Sequence, residues 1–446
     1  MTGSSGTASS SSGQVQPGTD GRLTHGRPRV ERLARADPSC VDLVERLVRI
    51  AVEGLGTMRL PDGVFAFTRK GAIDRGRPTT RLEGRSLRYS GMVALGARHL
   101  DPTVQREVLG GCRADEAADH FLGRLPLDSH LGDVAVATWA VAGTGGARLP
   151  EAVRMLNRAV DRERTPYVVD LAWAVCAYVA ARDRAEVETR LALARDRLLS
   201  CRPGSALFPH AVGKTRAGRW RSHVGCFADQ VYPIQALARL HASGDDPRAL
   251  RAAQDCADLI CELQGRSGQW WWHYHTRNQT VVEGYPVYSV HQHAMAPMAL
   301  FDLAEAGGRI DDGAIARGLT WLVKRPEWVE PLLRDDLGLT WRKVARRDPR
   351  KVVRAVRALS TRFRPRLTFS LIDSVLAPTV VDRECRPYEL GWLLDAWMPR
   401  AARPAPSARA VVLPGTESSG TVHGAPRTAG APAAARVTAE ASGDAR

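Results

Sequence analysis

The sequence predicts an all-α protein: an α/α toroid of six inner and about six outer helices with a short β-hairpin-like loop on its rim. Three observations carry that prediction. Between Cys40 and Met398 the apolar positions recur with helical periodicity, and few stretches alternate with period two. The helices are of two kinds, one amphipathic and charged, the other apolar nearly all round and rich in small residues. The two kinds alternate at intervals of several tens of residues, as stacked helical hairpins do.

Of the 446 residues, 44% are hydrophobic, enough for a large core. Residues 1–37 carry Ser, Gly and Pro with little to bury and read as a disordered tail. Residues 401–446, rich in Ala, Pro, Gly and Thr, read the same way, which leaves 38–400 for the folded domain. No apolar leader opens the chain, and no run approaches the roughly 18 apolar residues that a membrane span needs. A cytoplasmic protein is expected.

The first inner helix is RYSGMVALGARHL from Arg88, followed by HLGDVAVATWAVAG from His130 and PYVVDLAWAVCAYVAA from Pro166. The remaining three are CFADQVYPIQALARLHASG from Cys226, YSVHQHAMAPMALFDLAEAGG from Tyr288 and RPYELGWLLDAW from Arg386. Lacking a polar face, each must be enclosed by protein, and its Ala and Gly let neighbouring backbones come close. VQREVLGGCRADEAADHFLGRL, EVETRLALARDRLLS and PRALRAAQDCADLICELQ have one wet face and belong outside.

The eight cysteines are scattered without a CxxC pair, so buried free thiols are expected and neither a metal nor another cofactor. The formal charge of +15 is concentrated in residues 341–367, WRKVARRDPRKVVRAVRALSTRFRPRL, with eleven Lys or Arg and one acid, Asp348. After Pro349, Val352, Val353, Val356 and Leu359 recur at helical spacing among Lys351, Arg354 and Arg357. That describes a basic amphipathic helix. It suits an anionic membrane surface, which would place the protein at the inner membrane face, or an acidic protein partner; a solvated or packing helix is the alternative. No recognition motif or stacking platform accompanies the charge, so nucleic acid is not expected.

Gln264, Gly268 and Trp270 in LQGRSGQW, with Arg317, Gly318, Trp321 and Leu322 in RGLTWL, resemble the two halves of the QW motif of terpenoid cyclase and protein prenyltransferase toroids. Pro326 stands where that motif's Gln would come. The resemblance implies a toroid in which stacked Trp and Gln tie an outer helix to its neighbour. In architecture the chain is also similar to six-hairpin glycosidases, uronate hydrolases, lyases and sugar epimerases. Those enzymes place carboxylate, Tyr, His and Trp at the inner-helix rim.

Inner helices of such a barrel run parallel, so their polar first turns meet at one rim. The residues brought there include Arg88, Tyr89, Asp128, His130, Tyr167 and Asp170, then His223, Gln230, His293 and Glu389. Asp229, Glu283 and His291 are the candidate catalytic groups. An N-terminal helix cap, an exposed hairpin Glu and a satisfied core histidine are their structural alternatives. Trp271, Trp272, His273, Tyr232, Tyr285, Tyr288, Gln292, Arg386 and Tyr388 are candidate substrate-binding residues, since aromatic faces beside polar groups hold sugars. The stretch GQWWWHYHTRNQTVVEGYPVY from Gly268 is expected to cross the rim as the hairpin that carries these rings.

These residues favour a carbohydrate-processing enzyme of glycoside hydrolase, lyase or epimerase type. A terpenoid cyclase or prenyltransferase acting on an isoprenoid is the alternative that the QW resemblance implies, but the chain has no DxDD or DDxxD cluster. A noncatalytic glycan- or lipid-binding scaffold is the third. The expected ligand is a glycan or an isoprenoid.

Overall fold

The computed structural model describes residues 27–74, 77–202, 204–213, 222–327, 329–346 and 377–399. Helices α1 (Pro28–Ala36) and α2 (Cys40–Gly56) lead into the hairpin of β1 (Thr68–Asp74) and β2 (Arg77–Glu83). Then come α3 (Leu87–Ala97), α4 (Pro102–Leu109), α5 (Ala114–Gly123), α6 (Leu131–Thr144), α7 (Leu149–Arg162), α8 (Val168–Ala181) and α9 (Glu188–Leu199). Strand β3 (Val224–Cys226) precedes α10 (Ala228–Gly244) and α11 (Pro247–Glu262). Strands β4 (His273–His275), β5 (Thr280–Glu283) and β6 (Val287–Tyr288) follow. One π-helical turn (His291–Met295) then runs into α12 (Ala296–Glu305), and α13 (Asp312–Trp321) comes next. Short strands β7 (Leu333–Arg334), β8 (Leu339–Thr340), β9 (Lys343–Ala345), β10 (Val380–Asp382) and β11 (Glu384–Cys385) bring the chain to α14 (Pro387–Trp397).

Among the described residues, the six helices without a polar face make a closed inner ring in the order α3, α6, α8, α10, α12, α14, with α14 packed back on α3. In α8 the buried side chains run round the whole circumference, from Val168 and Leu171 through Trp173 and Cys176 to Val179. The outer layer follows: α5 against α3 and α6, α7 against α6 and α8, α9 against α8, α11 against α10, α13 against the π turn, and α2 against α14. The toroid expected from the alternation is the architecture found. Closure rests on glycine, because a Cβ on Gly96 would run into the Gly391 carbonyl, while one on Gly391 would meet the Met92 carbonyl oxygen at 2.9 Å. Two backbones in direct contact leave no room for a side chain.

Four neighbouring inner pairs meet near their starts, which brings those starts to one rim. Arg88 reaches Asp133 across α3 and α6, and Trp173 meets Tyr232 across α8 and α10. Phe227, at the start of α10, packs on His291 of the π turn before α12, and Tyr388 of α14 packs on Tyr89 of α3. The opposite end of the ring carries buried charge. Arg239 of α10 binds Asp302 of α12 at 2.6 Å and Asp395 of α14 at 3.2 Å, while Arg29 adds a 2.5 Å bond to Asp302 and Arg98 a 3.2 Å bond to Asp395. Both aspartates are sealed from solvent, so the ring's far end is closed by paired charge.

Two boundaries differ from the sequence reading. The tail assigned to 1–37 ends earlier, because α1 docks on α2 and α13 with Arg29 buried against Asp302 and Glu305. At the start of the basic segment 341–367, Trp341, Arg342 and Val344 are buried, and Arg342 and Lys343 turn to the acids Glu389 and Asp382. The basic helix expected after Pro349, and the tails 1–26 and 401–446, lie outside the described residues. All eight cysteines are free thiols. No helix among the described residues is long and apolar enough to cross a membrane.

Candidate active site

The rim is furnished by the first turns of the inner helices and by three small antiparallel sheets, ordered β11–β1–β2, β10–β9–β6 and β3–β4–β5. The Ser86 hydroxyl caps α3 by accepting the Tyr89 N–H, which sets Arg88 and Tyr89 on the first turn. Arg88 Nε donates to Asp133 Oδ1 at 2.7 Å, and the guanidinium lies over the Trp173 ring, 5.5 Å from its centre. A Cβ on Gly132 would collide with Asp170 Oδ1 and stand 3.3 Å from Arg88 Nη2. Glycine there lets α6 approach α8 until Asp133 and Asp170 flank one arginine. Burial works against the Arg88 charge, but the two carboxylates outweigh it and raise its pKa.

Beneath this group, Trp173 meets Tyr232 edge to face with centres 5.0 Å apart, and Trp392 Nε1 donates to the Tyr232 hydroxyl at 2.8 Å. The Trp173 indole N–H is buried without a hydrogen-bond partner. A second wall is aromatic and cationic: Tyr89 packs on Tyr388 at 4.7 Å and receives a 3.1 Å bond from Arg386 Nη1, which also stacks on Phe67. Under it, burial pushes the Glu389 carboxyl up to about 7, against the pull of Arg342 and Arg386. Arg342 Nε lies 3.4 Å from Glu389 Oε1, and the guanidinium covers the Tyr288 ring.

The hairpin expected after Gly268 is present as β4 and β5, joined by β3. Its three consecutive tryptophans lie just ahead of β4 and divide between core and rim. Trp270 is fully buried on Phe227, whereas Trp271 and Trp272 are half-buried, Trp271 against Tyr285 and Trp272 stacked on Tyr288 at 4.5 Å.

The predicted residues spread over different walls. His291 is enclosed by Phe227, Trp272 and Tyr288, and burial takes its pKa down to about 3, so it is neutral at ordinary pH. Asp229, buried at the start of α10, accepts the Cys226 N–H at 2.7 Å and bonds His210 Nδ1 at 3.0 Å. Glu283 is buried at the end of β5, where it accepts the Tyr285 N–H and pairs with Arg346 at 3.7 Å. His273 is the cross-strand neighbour of both Cys226 and Glu283. Gln292 accepts the Trp270 N–H and donates to the Tyr288 carbonyl, so it braces the rim from below and does not face a ligand. Asp128 and His130 are exposed ahead of α6; Asp133 is the acid that α6 delivers. Sequence reasoning passed over Asp133, although an acid in the first turn of the apolar HLGDVAVATWAVAG is the signal that singled out Asp229.

No protein-family model matches the chain, and no curated protein matches it. Solved structures do resemble it. A sugar epimerase from a ruminal bacterium superposes with a TM-score of 0.52 at 11% identity, covering 82% of this chain and 100% of its own. An unsaturated glucuronyl hydrolase from Streptococcus agalactiae gives 0.48 at 10% identity, over 80% and 90% of the two chains. An unsaturated glucuronyl hydrolase from Bacillus sp. GL1 gives 0.48 at 13% identity, over 79% and 94%. The likeness is one of fold. These neighbours are carbohydrate enzymes and lend the terpenoid cyclase resemblance no support.

Proposed function

We propose that the chain is a carbohydrate-processing enzyme that holds a sugar ring beside Arg88 and moves protons with Asp133 and Asp170. The observation that carries this reading is the group of two carboxylates about one arginine, whose guanidinium lies over the Trp173 indole. The guanidinium and the acids beside it are the polar groups that sugar hydroxyls bind, and the indole beneath holds the guanidinium in place. Arg88 orients Asp133 through their 2.7 Å bond, and Asp170 lies on its other side, so either acid can exchange a proton with a bound sugar. Tyr388 and Trp272, both half-buried, would stack on the same ligand or on a neighbouring unit. Of the residues expected from sequence, Tyr232, Trp272, Tyr288, Arg386 and Tyr388 keep binding roles in this reading. Asp229, Glu283 and His291 give way as proton carriers, because each is engaged in its own buried contacts.

The solved epimerase shares the fold, so the assay begins with sugar epimerisation followed by NMR and extends to hydrolysis of neutral and uronate-bearing disaccharides. Asp133→Asn and Asp170→Asn should each lower turnover by about 10²–10⁴-fold while leaving the far-UV spectrum intact. A panel that yields neither turnover nor any change in tryptophan fluorescence on sugar addition would sink the reading.

A further inference from the structure

His210, Cys226 and Asp229 present an imidazole nitrogen, a thiol sulfur and a carboxylate oxygen within 4.8 Å of one another. They come from three places: the loop after α9, the end of β3 and the first turn of α10. We propose that they bind a divalent cation of the zinc class, with three protein ligands and one position open to solvent.

Four features support this. The donor set is one that such an ion accepts, nitrogen, sulfur and oxygen, at about 2.0–2.3 Å in a tetrahedral arrangement. Tetrahedral ligands then stand roughly 3.3–3.7 Å apart, and His210 Nδ1 already lies 3.0 Å and 3.3 Å from the two Asp229 oxygens. The carboxylate is fixed from behind, since the Cys226 N–H donates to Asp229 Oδ2 at 2.7 Å, and the His210 ring packs against Tyr167. Access is provided for: Asp229 and Cys226 are buried, but the His210 side chain is 26% exposed, so an ion can arrive along it.

The cluster is also poorly balanced as a purely structural one. Asp229 is completely buried, and among the described residues its one ion-pair partner is His210, which carries charge only when protonated. A divalent cation would take the place of the thiol and imidazole protons and compensate both sulfur and carboxylate. Proton release on binding makes the affinity rise with pH.

The test uses the full chain stripped with a chelator and titrated with Co²⁺ as a coloured substitute for Zn²⁺. One equivalent should bind with visible d–d bands and a near-ultraviolet thiolate-to-cobalt band, both abolished by added Zn²⁺. Cys226→Ser should remove the thiolate band, and His210→Ala should weaken binding at least tenfold. The metal should raise the melting temperature of the wild type and not of Cys226→Ser. If Cys226→Ser fails to fold by circular dichroism, the partly exposed His210→Ala decides the matter alone. No thiolate band in the wild type, a band that survives Cys226→Ser, or an affinity unchanged by His210→Ala overturns the proposal.

Discussion

Glu389 and two histidines give the folded chain opposite responses to pH. Burial raises Glu389 from 4.5 to about 7, so its protonated form favours the folded state; that contribution is complete below pH 4.5 and is lost as pH rises to about 7. Burial lowers His291 and His293 from 6.5 to about 3, so their contribution is complete above pH 6.5 and is lost as pH falls toward 3. Between pH 4.5 and 6.5 the two histidines outweigh the one carboxyl, and stability should climb with pH. Glu389→Gln should steepen that climb and abolish the decline up to pH 7, a change on the order of 3 kcal/mol across the window. Urea midpoints along a pH series measure it, and a variant that tracks the wild-type curve would contradict the assignment. This residue was readable only in part: RPYEL announced a polar first turn, but the Arg342 that faces Glu389 comes from the distant link between β8 and β9. No local pattern reports that encounter.

At the level of elements, the segment before β4 is bound to α13 by contacts that fall on the two motif-like stretches of the sequence. Gln264 Nε2 donates to the carbonyls of Gly268 and Ala314, Arg317 donates to Gln264 Oε1, and Trp270 packs where a Cβ on Gly318 would stand. Gly268 has φ +96, and a Cβ there would strike the Arg317 carbonyl. Gly268→Ala therefore combines left-handed strain with a backbone collision and should cost about 2 kcal/mol or more. Gln264→Ala should cost about 1 kcal/mol, the worth of its hydrogen bonds to the backbone. Thermal melts of the two variants check the order; equal losses would mean that the collision is absorbed elsewhere. Only the composition of the two stretches was legible, and the QW motif they resemble finds no support. Asp133 was not legible, since the sequence shows an acid near a helix start but not that Gly132 opens the gap through which Asp170 joins it.

On the scale of the whole molecule, the toroid could be inferred because a helix with no wet face, such as PYVVDLAWAVCAYVAA, has to lie inside a second layer. What closes the ring at its far end could not. Arg239, Asp302 and Asp395 are isolated charges in otherwise apolar helices, separated by many tens of residues, and only the closed ring brings them together. Among the described residues Arg239 is the bridge that contacts both aspartates, while Arg29 serves Asp302 and Arg98 serves Asp395. Replacing it with Met keeps the length and removes the charge, leaving two sealed carboxylates each with one cation fewer. Breaking buried pairs in this way costs about 3–5 kcal/mol. The charge network joins α1, α3, α10, α12 and α14, so its loss loosens the ring as a unit: Arg239→Met should lower the unfolding midpoint in one cooperative transition. Adding Asp302→Asn and Asp395→Asn to Arg239→Met should recover part of the loss, because neutral amides no longer need the missing cation. A triple variant no more stable than Arg239→Met would show that the arginine acts by packing on Trp139, whose ring it covers at 4.9 Å, and not by charge.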